Sequence, residues 1–377
     1  MNVLRVLRHL LFGLFGLLLL VLLAAGFVIS TETGLQSLIA LAERLTPGQL
    51  TVDSVNGRLL GPLQIKGLRY EQGPLQVTLG SADLDWQPSA LFSGKAHITR
   101  LHFSDLEVQL PPGDSTPSSP EPLALPDIRL PLAVNVADLQ SRSIRIQPPN
   151  AQPIQIDAVS LKAHSEDDDL RIETLEIRAP QGEIRLSGGL NPIGNYPLQI
   201  QLDWRLLTPN YGEFAGRGDI SGELRDRLQL THNITGAATL DLRGEVRQPL
   251  TPKPAWSAQA QLKVADLQPF APELAGKPLS IQLEANGVLT QFQGHGEIAA
   301  TLPELGPTTV RFNAEGNDQQ IKFKELRLTV ANQPLALTAK GELQLADLRF
   351  DAAAQWQKLV WPFNGRGKWK APRVNWR

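Results

Sequence analysis

The stretch KELRLTVANQPLALTAKGELQLADLRFDAAAQW, Lys324 to Trp356, decides the fold. Leu326, Leu328 and Val330 alternate with polar neighbours. A turn signal follows at Asn332-Gln333-Pro334, and Leu335, Leu337 and Ala339 resume the alternation. A Gly341-Glu342-Leu343 step then leads to Leu348, Phe350, Ala352, Ala354 and Trp356. Apolar residues at every second place, reset by Gly, Pro or Asn, give a pleated strand one oily face and one wet face. An earlier copy opens at Leu175 and Ile177 and turns at Pro180-Gln181-Gly182. It continues through Ile184, Leu186, Gly189 and Leu190 to Leu198, Ile200, Leu202 and Trp204. A looser copy runs from Leu240 through Gly244 and Val246 to Trp256. The shared order of strand, turn, strand, glycine step, strand and tryptophan predicts a repetitive, stacked β architecture. It also predicts equivalent positions for Trp204 and Trp356.

Outward from that stretch, short alternating runs fill most of the 377 residues, and 31 Gly and 29 Pro between them mark many turns and few helices. Runs such as Leu63-Ile65, Leu84-Trp86, Leu101-Phe103, Leu132-Val136 and Val159-Leu161 read as strands, roughly sixteen in all. Leu206 to Phe214 and Asp266 to Leu274 break the pattern and read as short helical turns or plugs between repeats. Gly34 to Leu45 carries apolar residues at helical spacing and stops at Pro47-Gly48. It reads as a short helix that either lies on a membrane surface or caps the first strands.

Arg5 and Arg8 precede Leu10 to Ile29, which is uncharged and almost wholly apolar. Twenty residues at ~1.5 Å each cover a ~30 Å hydrocarbon core, and basic residues before the span place the N-terminus in the cytoplasm. The rival is a cleaved signal peptide ending at Ala24-Ala25-Gly26; the unbroken length favours a retained anchor with Leu10, Leu14, Leu17, Leu20, Leu23 and Ile29 in the bilayer. The expected division is 1–30, cytoplasmic tip and transmembrane signal anchor; 31–110, helix and first strands; 111–126, a Pro/Ser-rich loop; and 127–377, the repeating segment.

A formal charge of −2 leaves no basic footprint for nucleic acid, and the absence of cysteine excludes disulfides and thiolate chemistry. The six His are scattered without ligand spacing, so neither a metal nor a cofactor is expected. Glu166-Asp167-Asp168-Asp169 lacks the glycine and spaced oxygens of a calcium loop and reads as a solvated turn. Gly216-Arg217-Gly218 and Gly294-His295-Gly296 read as turns, since no helix follows either. No nucleophile elbow or P-loop is present, and no enzyme activity is expected.

What covers the apolar face decides function. An ordinary sheet hides it against helices or a second sheet, and this chain has almost no amphipathic helix to offer. An open face of this extent would present on the order of 2,000 Å², whereas the largest apolar patch of a soluble monomer is ~300–600 Å². Two readings stay open: a closed sandwich or solenoid, and a groove that holds acyl chains, each buried CH₂ contributing ~0.8 kcal/mol. The residues in phase for that face are Leu198, Ile200, Leu202, Ile281, Leu283, Phe312, Ile321, Phe323, Leu328, Leu337 and Leu345. Gln201, Gln282, Arg311, Lys322, Arg327 and Gln344 should face water.

Several features together resemble the translocation and assembly module (TamB) family of the AsmA-like, repeating β-groove group. They are the Leu10–Ile29 anchor with Thr33-Gly34-Leu35, the Asn56-Gly57-Arg58 to Gly67-Leu68-Arg69-Tyr70-Glu71 strands, LHFSDLEVQL at Leu101 to Leu110, and Gln355-Trp356 to Trp361-Pro362. The resemblance implies a mainly β fold, an elongated sheet curled into a groove, or β-taco, behind one transmembrane helix in the inner membrane of a Gram-negative cell. It implies phospholipid transport toward the outer membrane and assembly of outer-membrane proteins with a TamA-type barrel partner. Nothing here matches the family's C-terminal β domain, which implies an N-terminal portion or a shortened relative. The competing reading is a periplasmic scaffold with a closed core that pairs client strands with its sheet edges.

Overall fold

The computed structural model describes residues 31–46, 48–111, 125–149, 151–288, 290–303, 305–331, 335–357, 360–361 and 369–370. The anchor residues Leu10, Leu14, Leu17, Leu20, Leu23 and Ile29, and most of the 111–126 loop, lie outside the described residues. Among the described residues no helix is long and apolar enough to cross a membrane.

The chain divides into two units, the first comprising residues 1–117 and 130–180, the second 118–129 and 181–377. The first holds α1 (Glu32–Leu45), β1 (Leu50–Gly57), β2 (Leu63–Gln72), β3 (Leu75–Gln87), β4 (Lys95–Gln109), β5 (Ala133–Gln147), β6 (Ile154–Glu166) and β7 (Asp169–Ala179). Each strand pairs with its successor, antiparallel throughout except for the parallel pair β4–β5. Thr31 Oγ1 accepts the Gly34 amide at 3.1 Å at the start of α1, with Glu32 in its first turn and Arg44 in its last, as the helix dipole favours. Leu35 is buried, and the Glu43 carboxylate accepts the Val52 amide at 3.0 Å. The helix thus blocks the edge of β1, where unpaired amides would invite another strand.

A crease crosses the first unit. The paired register skips one residue at the same level in six consecutive strands: Asp53, Gly67, Gly80, Asp105, Ser143 and Asp157. Gly67, Asp105 and Ser143 take left-handed backbone there, with φ of 63°, 57° and 58°. The Asp53 side chain lies over Gly67, where a Cβ would fall 1.9 Å from its Oδ2. The crease shifts the apolar phase by one, so Leu101 and Phe103 share a face with Leu106 and Val108 along one strand. Because every strand carries the extra residue at one level, pairing resumes without slippage.

The second unit holds β8 (Gly182–Leu190), β9 (Pro197–Thr208), β10 (Gly212–Glu223), β11 (Arg227–Thr235), β12 (Thr239–Arg247) and β13 (Ala255–Val264). There follow β14 (Leu279–Val288), β15 (Gln291–Leu302), β16 (Gly306–Gly316), β17 (Gln320–Val330), β18 (Ala336–Gln344) and β19 (Phe350–Gln357). These twelve form an antiparallel meander, and a separate pair, β20 (Val360–Trp361) and β21 (Trp369–Lys370), comes after them. β8 pairs with β9 and β19 with β18, and no pairing joins β8 to β19, so this meander stays open. The 125–128 segment is clasped to its β8–β9 and β10–β11 connections. Tyr196, buried and left-handed at φ 56°, donates its hydroxyl to the Pro126 carbonyl, while Arg225 stacks on its ring at 4.9 Å and pairs with Asp127.

Three expectations are corrected and a fourth is met in part. Leu206 to Phe214 is no helical plug: β9 runs to Thr208 and β10 starts at Gly212, with a tight turn between them. Asp266 to Leu274, between β13 and β14, does carry a short helical turn, the 3₁₀ turn Pro272–Leu274, and is tied down by Asp266, which accepts the amides of Gln268 and Gly276. Gly216-Arg217-Gly218 and Gly294-His295-Gly296 are not turns but the middles of β10 and β15. The strands also outnumber the expected sixteen, reaching β21, because weakly apolar runs such as Gly212 to Glu223 pair as fully as the others. Glu166 to Asp169 does form a hairpin turn, with Asp167 at φ 51°.

Candidate functional site: the apolar face of the second unit

Opposite residues of an antiparallel pair share a face, so the register assigns the face strand by strand. From Trp204 on β9 one row runs through Gly216, Ile234, Leu240, Leu262, Ile281, Ile298, Val310, Leu328 and Leu337 to Trp356 on β19. The two repeat tryptophans therefore stand in the same row. Trp256 shares their face but sits opposite Val246 and Gly287, in another row, so the looser copy is out of step with the other two.

A parallel row holds Leu202, Gly218, His232, Leu242, Ala260, Leu283, Gly296, Phe312, Leu326, Ala339 and Ala354. Leu198, Ile200, Ile321 and Phe323 fall on the same side in the remaining rows. Ten of the eleven residues singled out for this face thus come together on it. Leu345 does not: β18 ends at Gln344, and Leu345 sits in the following turn, its amide donating to the Gln319 carbonyl at 2.9 Å. Gln201, Gln282, Arg311, Lys322, Arg327 and Gln344 all register on the opposite face.

The apolar face is not a dry core. Among the described residues only eight hydrophobic side chains are fully buried, and of these Val264, Val330, Leu335, Ala339 and Tyr196 belong to the second unit. Leu283, in the middle of the face, is 39 % exposed, and Ile184 and Phe350 on its outer strands are 45 % and 48 % exposed. Most other side chains of the rows are partly exposed.

Glycines keep that face low. A Cβ on Gly216 would fall 2.3 Å from the Trp204 indole, one on Gly296 2.6 Å from the Phe312 ring, and one on Gly341 2.9 Å from Phe350. Aromatic rings thus lie flat across the neighbouring strand where glycine leaves room. The Gly-x-Gly spacing does this in phase: the two glycines underlie the apolar face while Arg217 or His295 points to the other. This was the signal in the sequence that a turn reading missed. One polar pair interrupts the face, the Trp204 indole N–H donating to His232 Nε2 at 3.1 Å. The Trp356 indole N–H is buried and has no partner among the described residues.

The other face is a lattice of cross-strand ion pairs. Arg217 Nε donates to Asp203 at 2.7 Å, Arg311 Nε to Glu297 at 2.7 Å, and Lys322 pairs with Glu342 at 3.3 Å. The Asp203 hydrogen bond pushes the Arg217 guanidinium above its ordinary pKa, and the Arg247 hydrogen bond holds the Glu245 carboxyl below its own. These groups are exposed, so each pair adds little stability. A concavity of about 1190 Å³ on this face is lined by Asp241, Arg243, Gln282, Glu297, Arg311 and Arg327 among others. No group of three His, Asp or Glu with metal-binding geometry occurs among the described residues.

A family model described as TamB, N-terminal domain, matches residues 19–124 and 115–340, most of both units. No solved structure matches the chain.

Proposed function

The chain belongs to the TamB family, and on that premise we propose that its apolar strand face carries phospholipid acyl chains between the inner and outer membranes. The observation that supports this reading most is the half-exposed state of the face: an open antiparallel meander with Leu283 39 % exposed at its centre. A packed core would bury that leucine, whereas an open trough leaves it accessible to an apolar guest. Rows of Leu, Ile, Val and Ala with flattened aromatics suit flexible hydrocarbon, and a sixteen-carbon chain gains on the order of 10 kcal/mol by leaving water, as an upper bound. Ion pairs on the reverse face keep the outside hydrated. In the same reading Leu10 to Ile29 holds the chain in the inner membrane as a single pass, the remainder lies in the periplasm, and a TamA-type barrel receives a more C-terminal region. No reaction and no cofactor enter the proposal.

The scaffold alternative needs free strand edges: α1 satisfies one amide of the β1 edge through Glu43, while β19 pairs with β18 alone among the described strands, so its outer edge is where that reading would act. Lipid analysis of the protein extracted from membranes in mild detergent and purified to homogeneity tests the proposal. Phospholipid retained in stoichiometric amounts through extensive washing is expected. Loss of all lipid, with the protein still folded, would favour the scaffold.

A further inference from the structure

Among the described residues, one titratable side chain stands on the apolar face of the second unit, His232 of β11. It sits opposite Gly218 of β10 and Leu242 of β12. Its ring lies nearly coplanar with Trp204 of β9 and meets it edge to edge, with centroids 6.0 Å apart and planes 15° from parallel. The Trp204 indole N–H donates to His232 Nε2 at 3.1 Å. Indole nitrogen only donates, so Nε2 must offer its lone pair, which fixes a neutral imidazole with its proton on Nδ1. Both rings lean over β10 from either side, and only glycine fits beneath them. A Cβ on Gly216 would fall 2.3 Å from the indole, and one on Gly218 2.5 Å from Nδ1. The pair forms a bar across the acyl path, bridging β9 and β11.

We propose that this bar is a proton-operated gate on the lipid path. The proposal rests on the acyl-chain reading above. While His232 is neutral, the bar is a flat aromatic surface with its one acceptor satisfied, and hydrocarbon can lie across it. A proton on Nε2 converts that acceptor into a donor and ends the Trp204 hydrogen bond. The register of β11 holds the imidazolium on the apolar face, so the charge stays on the path.

Among the described residues no counter-charge meets it there. β9 presents Leu202 and Trp204 to the ring, β10 presents Gly216, Gly218 and Ile220, and β12 presents Leu240, Leu242 and Gly244. The charged groups of these strands nearest the ring, Asp203, Arg217, Asp219, Asp241 and Arg243, register on the reverse face, as do Arg205, Glu213, Glu223, Glu245 and Arg247 farther along, and Arg217 is already paired with Asp203. An unpaired cation on an apolar surface must keep its water. Acyl chains then cannot cross β11.

The full-length protein in its native membrane vesicles, supplied with phosphatidylethanolamine carrying a photoreactive acyl chain, tests the gate. Crosslinks are read by mass spectrometry on β8–β9 and on β12–β15, at about pH 7.5 and about pH 5, which bracket the ordinary imidazole range. Crosslinking on one side of β11 is expected to fall several-fold at the lower pH while the other side keeps its lipid. His232→Leu should be insensitive to pH, and His232→Lys should resemble the acid state at both, with its fold checked by hydrogen exchange at neutral pH. Equal pH profiles in the wild type and His232→Leu, with lipid present, would overturn the gate and leave the groove standing. No lipid in any variant at either pH would instead overturn the acyl-chain reading on which it rests.

Discussion

Replacing Leu283 with Asp separates a trough from a core. Leu283 is 39 % exposed, so about three-fifths of its side chain is shielded, against neighbours that include Ala260 and Gly296. Complete burial of a leucine is worth ~1.5–3 kcal/mol, so the lost shielding costs ~1–2 kcal/mol. The poor strand preference of Asp adds up to ~1 kcal/mol. The carboxylate itself can reach water through the open face, so no large desolvation cost is expected. Val330→Asp on the same sheet face supplies the contrast. Val330 is 5 % exposed and sits opposite Thr308, 4 % exposed, so its carboxylate would be dry and unpaired and should cost ~4 kcal/mol or more.

A repetitive sheet need not unfold in one step, so local native-state hydrogen exchange on peptides from β13–β15 and β16–β18 is the suitable assay. The expected result is modest loss of protection around β14 for Leu283→Asp and near-complete loss around β17 for Val330→Asp. Equal, severe loss in both would mean that the Leu283 region is a closed core, and the trough would be refuted.

Gly296→Ala should displace both the Phe312 ring and the Gln282 carbonyl, each of which a Cβ would meet at 2.6 Å; reduced lipid retention with faster hydrogen exchange along β14 and β15 is expected. Tyr196→Phe removes the hydroxyl bond to Pro126 and should cost ~1–3 kcal/mol locally, read as faster exchange at 125–128. Glu43→Ala frees the Val52 amide at the β1 edge and should raise self-association, measured by light scattering. Asp138 accepts from His102 Nε2 at 2.8 Å, and that bond holds its carboxyl below the ordinary value. A depressed folded pKa contributes stability above the unfolded value and loses it as pH falls through the folded one. Asp138→Asn should therefore flatten the acid stability curve below about pH 4, by less than ~1 kcal/mol at this exposure.

The face assignment of Ile200, Ile281, Phe312 and Leu337 was legible because strand periodicity is local: each residue's side follows from its own neighbours. The crease was not. Leu101-Phe103 and Leu106-Val108 look like two strands when read alone, and only pairing across six strands makes Asp105 a shared kink. The glycine floor was misread for a related reason. Glycine usually punctuates, yet at Gly216 and Gly218 it is required by rings arriving from β9 and β11, which no linear window contains. For Leu345 the alternation continued past the point where pairing stops, because hydrophobic phase carries no information about where a hairpin turns. The Tyr196 clasp joins residues 70 positions apart and left no local trace.

Photo-crosslinking at consecutive positions of one strand tests the central claim most directly. With a photoreactive residue placed in turn at Ser280, Ile281, Gln282, Leu283 and Glu284 of β14, phospholipid adducts should appear at 281 and 283 and be absent or weak at 280, 282 and 284. Uniform labelling, or no adduct at 281 and 283 in a folded protein, would contradict an acyl-carrying face.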